Sequence, residues 1–128
     1  MGTRAQRLKR LVTLQEQIKA LHETKHATQL AQAARAKQDA SELLEALNAA
    51  SPLPGLFPDV YNRHIGAAID REAKAIDLAE KEKAHVATAT ARTRIAERAW
   101  REAFIQEERE AAEKEQLENI ERKLNQAK

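Results

Sequence analysis

All three prolines of this 128-residue chain lie between Ser51 and Pro58, and none occurs on either side of that insert. Proline fixes φ and removes an amide donor, so a cluster of three ends any helix that reaches it. Thr3 to Ala50 and Asp59 to Lys128 are free of such breaks and carry apolar residues at helical spacing. The pattern predicts an all-α fold, a long two-helix antiparallel coiled-coil hairpin forming a single domain over 1–128. Helix 1 is expected over about 3–50, the Pro-rich turn over 51–58, and helix 2 over about 59–126.

Only 25 of the 128 residues are Leu, Ile, Val or Phe, close to the level of roughly 20% at which a chain loses an independent core. Alanine supplies much of the rest. It is the best helix former but buries little area, so strong helices joined along a thin seam are expected.

The net charge of +2 is too small to hold nucleic acid by its field, and the basic residues are not interleaved with aromatic ones. They are concentrated at the start, where Arg4, Arg7, Lys9 and Arg10 stand without an acid. The absence of cysteine excludes disulfides and thiolate metal sites and fits a cytoplasmic location. No apolar run approaches the roughly 18 residues of a membrane span, and Met1-Gly2 lacks the Ser or Thr at position 6 that myristoylation favours. Membrane contact is expected only through partner proteins.

In the first arm Leu11, Leu14, Ile18 and Leu21 alternate spacings of three and four, the stripe of a helix that packs on another. Lys25 and Thr28 occupy the next two places, and the stripe resumes out of phase at Ala27, Leu30, Ala34, Leu44 and Leu47. A local change in supercoil is therefore predicted around His22–Thr28. In the second arm the repeat runs through Ile65, Ile69, Ile76, Ala79, Val86, Thr90, Trp100 and Phe104, with Glu72, Lys83 and Glu97 as polar interruptions. Leu117, Ile120 and Leu124 follow out of phase with Phe104. Asp70 with Lys74, Asp77 with Lys81, Glu110 with Lys114 and Glu118 with Arg122 are acid-before-base pairs four apart, each worth a few tenths of a kcal/mol to a helix.

A chain that turns back near Gly55 sets Trp100 and Phe104 opposite Leu8 and Leu11. It also leaves about twenty residues of the second arm unpaired, an overhang of roughly 30 Å whose Leu117/Ile120/Leu124 stripe reads as a docking face. At the other end Leu53, Leu56, Phe57, Tyr61, Ile65 and Ile69 make the tip apolar beyond what closing a bend requires.

His22-Glu23-Thr24-Lys25-His26 matches the H-E-x-x-H pattern, which on a helix puts two imidazoles one turn apart. A zinc peptidase needs in addition a third ligand, a water-excluding floor and a substrate cleft. Two thin helices supply none of these. His85 comes near residue 25 in the antiparallel register, which makes a three-His surface site conceivable, but no catalytic or metal role is assigned.

The opening Arg7-Leu8-x-x-Leu11-x-x-Leu14, the Tyr61-x-x-His64-Ile65 start of the second helix and the late Trp100-Arg101 with its Glu-rich ending resemble the FliJ/YscO family over the whole chain. The resemblance implies a non-enzymatic, cytoplasmic stalk of a flagellar or injectisome type III export apparatus, peripheral to the inner membrane through its protein partners. The implied partners are a hexameric export ATPase, the membrane protein of the export gate and export chaperones. It implies no cofactor. Carried onto this sequence, the ATPase end would use Arg4, Arg7, Leu8 and Leu11 with Leu117, Ile120 and Leu124. The gate contact would use Tyr61, Ile65 and Ile69. The residues alone leave a second class open, a self-associating coiled-coil scaffold whose seam is completed by another copy.

Overall fold

The computed structural model describes residues 2–49 and 55–127. Two helices, α1 (Arg4–Asn48) and α2 (Pro58–Gln126), pack against each other as an all-α antiparallel hairpin, with no strand among the described residues. Both helices were expected within two residues of these ends. Of the predicted turn, residues 51–54 lie outside the described ones, and Leu53 with them.

Both starts follow from local chemistry. Thr3 caps α1: its Oγ1 accepts the Gln6 amide at 3.2 Å while Gln6 Oε1 accepts the Thr3 amide at 3.0 Å, a reciprocal capping box. Pro58 takes the first position of α2, where a missing amide hydrogen costs nothing, and Asp59 places a carboxylate in the first turn against the helix dipole.

Contacts along the chain group it into two compact units. The first contains the residues up to Ile18 and those from Ala89 onward. Its seam runs through Ala5, Leu8, Val12 and Gln15 on α1 and Ala89, Thr93, Ala96, Trp100, Ala103 and Glu107 on α2, spaced alternately three and four, with Ile18, Thr90, Glu97 and Ala99 half-buried beside it. Two contacts fix the register. Glu107 Oε1 accepts the Ala5 amide at 3.0 Å, and the Lys9 ammonium lies 4.3 Å from the centre of the Trp100 ring. Leu8 is thereby level with Trp100 and Gln15 with Thr93. Thr93 is tolerated in the seam because its hydroxyl donates to the Ala89 carbonyl at 2.7 Å, so no polar atom is left bare.

The second unit is Lys19–Thr88. Its seam reads His22, His26, Gln29, Ala33, Ala36, Ala40 and Leu43 on α1, and Tyr61, Ile65, Ala68, Glu72, Ala75, Ala79, Glu82 and Val86 on α2. Ala68 is wholly buried. Asp39 and Arg71 close an interhelical pair at 3.5 Å on its flank, exposed enough to add only a few tenths of a kcal/mol.

This seam departs only in part from the expected one, since Ile65, Ala79, Val86 and Trp100 of the expected second-arm repeat lie in it. Leu11, Leu14, Leu21, Leu30 and Leu44 are exposed, as are Ile69, Ile76 and Phe104. The seam residues lie one place away, and alanine fills most of the fully buried positions among them. The heptad of α1 runs without a break from Ala5 to Leu47, so no supercoil change occurs at His22–Thr28. That expectation came from following the large side chains, and they occupy a parallel stripe outside the seam.

Candidate functional site

The strongest candidate is the free end of α2. Every residue from Glu108 to Ala127 is exposed, because α1 begins level with the turn that holds Glu107 and nothing of the first unit reaches further. Nineteen helical residues from Glu108 to Gln126 span roughly 28 Å. Leu117 and Leu124 are 62% and 61% exposed and Ile120 47%. Counting onward from Ala103 and Glu107 in threes and fours arrives at Leu117 and Leu124. These two leucines therefore continue the seam itself, in place of the separate direction expected from their offset to Phe104. The helix presents the surface that α1 covers further back, with no α1 left to cover it.

The start of α1 is fastened at the base of this overhang. Glu107 holds the Ala5 amide, one of the four amide groups that a helix start leaves without an internal partner, and so acts as a cap from the other helix. Sequence reasoning missed Glu107, because its place at the last paired seam position depends on the register between the helices. Arg4, Arg7 and Leu11 are exposed here, whereas Leu8 is half-buried in the seam. Leu8 therefore serves the hairpin more than any outside contact. Trp100 stacks obliquely on Phe104 at 5.9 Å, and Phe104 is half-exposed instead of facing Leu11 across the seam.

At the beginning of α2 the predicted trio divides. Ile69 is 52% exposed and Tyr61 half-exposed, but Ile65 is buried in the seam of the second unit and is not a free contact residue. Its seam spacing with Tyr61 and Ala68 explains this. An open surface groove lined by Asp39, Leu43, Val60, Tyr61, His64 and Arg71 runs beside it. Leu56 and Phe57 are exposed before it.

The two histidines of the H-E-x-x-H run are drawn into the second unit's seam. His22 Nδ1 is 2.6 Å from Glu82 Oε2, and the His22 ring stacks on His85 at 4.8 Å. The His22 hydrogen bond holds the Glu82 carboxyl below its ordinary range against the opposing effect of desolvation, helped by the charges of His22, Lys25 and His85. Glu23, the would-be general base, is exposed and lies 3.9 Å from Lys19. Among the described residues no group of three or more His, Asp or Glu is arranged to hold a metal ion. The arrangement therefore fastens helix to helix. No helix among the described residues is long and apolar enough to cross a membrane.

Comparison of the chain with protein-family models, curated proteins and solved structures finds no match.

Proposed function

We propose that the chain is a non-enzymatic stalk or adaptor of a flagellar or type III protein-export apparatus. In this reading one end of the hairpin engages the export ATPase ring and the other the export gate, and export chaperones meet its sides. It works in the cytoplasm, attached to the inner membrane through proteins. The observation that carries the reading is the overhang: a helix end that keeps the seam's leucines while lacking the helix to cover them is suited to a ring or socket. Arg4 and Arg7 beside it add positive charge for an acidic pore lining. Tyr61, Ile69 and the groove next to Tyr61 offer the second contact at the beginning of α2.

The test is co-purification from a cytoplasmic and membrane extract, with the intact chain as bait beside a chain ending at Glu110 and a Leu117→Ser/Ile120→Ser/Leu124→Ser variant. Only the intact chain should retain an export ATPase, and circular dichroism should show the triple variant still helical, because these residues support no packing inside the chain. Equal recovery of the ATPase by all three would refute the assignment of the ring contact. A self-associating scaffold is the second reading, favoured by the exposed leucines of α1, and a tight dimer that never exchanges for a ring would support it.

A further inference from the structure

Two exposed stripes of the first unit are written in the same pattern with opposite charge. On α1, Arg4, Arg7, Leu11, Leu14 and Ile18 are spaced three, four, three and four. On the overhang, Glu110, Glu113, Leu117, Ile120 and Leu124 have the same spacing. Each begins with two like charges and ends in three apolar residues. All ten are exposed except Ile18, which is half-exposed. Ile95 and Ala99 of α2 lie on the same side of the seam as Leu11 and Leu14 by their heptad positions, and Ile95 is 68% exposed. They widen the α1 stripe into a face that a third helix could fill.

From this complementarity we infer that the free chain binds a second copy of itself, the overhang of each lying parallel to the start of α1 of the other. Arg4 meets the second copy's Glu110, Arg7 its Glu113, Leu11 its Leu117, Leu14 its Ile120 and Ile18 its Leu124. Within one chain α1 and α2 are antiparallel, so a parallel pairing of these stripes is available only between chains. The arrangement also closes. Arg4 stands level with Phe104 of its own chain, and Ile18 level with Thr90. Bringing Glu110 and Leu124 of the second copy to those two levels relates the copies by one two-fold axis level with Glu107, and the reciprocal contacts then form together. An antiparallel pairing of the same stripes would set the two arginines against Leu124 and Ile120 at one end and the two glutamates against Leu14 and Ile18 at the other, losing both charge pairs and keeping only the Leu11–Leu117 contact.

This dimer goes beyond the export reading and does not need it. Where both hold, the second copy covers Leu117, Ile120 and Leu124, so self-association and ring binding exclude each other at that end.

Sedimentation equilibrium of the full chain over a wide concentration range, at low and high salt, gives the first measurement. The expected mass rises from 14.4 kDa to twice that, and the dissociation constant increases with salt because the charged pairs are exposed. Arg4→Glu/Arg7→Glu and Glu110→Lys/Glu113→Lys should each weaken the dimer at least about tenfold, since both contacts then oppose like charges. Mixing the two variants in equal amounts should restore it, because both contacts are again matched. A chain that stays at 14.4 kDa throughout, variants that dimerise as well as the original, or a mixture no tighter than its components would each overturn the inference.

Discussion

Replacing Gln15 by Leu should stabilise the hairpin, and the gain can be worked from its surroundings. Gln15 occupies a seam position level with Thr93, and its Oε1 is buried with no hydrogen-bond partner. A buried acceptor left unsatisfied costs about 1–3 kcal/mol. Leucine removes that cost, has nearly the same volume and adds apolar burial of about 1 kcal/mol at a half-covered site. Some of this is offset by water and partners lost to the amide nitrogen, so the expected gain is about 2 kcal/mol. For a chain of this size it corresponds to a rise in Tm of about 5–10 °C. Gln29 has the same buried, unpartnered Oε1 in the second unit, and Gln29→Leu should add a similar increment, since the two sites share no neighbour. The assay is thermal unfolding followed by circular dichroism, with urea unfolding to check that the transition stays two-state. Gln17→Leu is the control, because Gln17 points to solvent and the change should fall within about 0.5 kcal/mol. If Gln15→Leu lowers Tm, or raises it no more than Gln17→Leu does, the seam does not run through Gln15 and the assignment of the exposed leucines fails with it.

Gly66 is the one glycine inside α2, and a β-carbon built on it meets nothing within 4 Å. Gly66→Ala should therefore stabilise by about 0.5–1 kcal/mol through helix propensity alone, read as an increased urea midpoint with unchanged slope. Glu82→Gln tests the His22 contact through pH. The folded-state pKa of Glu82 is lowered, so its contribution is present above the ordinary carboxylate value of 4.5 and is lost as pH falls through the folded one. The variant should be less stable than the original at neutral pH, and urea midpoints of the two should converge on acidification below that value. A difference that stays constant to the acid end would show that the carboxylate charge is not what His22 holds.

The helices could be read from the sequence and the seam only in part, for one physical reason. Helix limits are set by strong local signals: the proline cluster, the Thr3/Gln6 capping box and fifty-residue stretches without a breaker. Which side of a helix is buried is set by packing, and here the packing residues are small. Ala5, Ala33, Ala36, Ala40, Ala68, Ala75, Ala79, Ala89 and Ala96 fill positions where their apolar signal is hidden among the many other alanines of the chain. The leucines and isoleucines one place away give a stronger signal and belong to another surface. The ion pair of Asp77 with Lys81, closed at 3.1 Å, depends only on spacing along one helix and was legible. The cap from Glu107 depends on register between helices and was not. The candidate site divides along the same line: the overhang followed from helix lengths alone, whereas Ile65, which the repeat of the second arm already included, is buried in the seam and is not free for a partner. A hairpin that keeps alanine inside and exposes Leu11, Leu14, Ile95, Leu117 and Leu124 gains little from its own closure and leaves much apolar surface uncovered. That distribution weakens the isolated hairpin and favours any assembly that covers the large residues, which is the physical ground for reading this chain as a component of something larger.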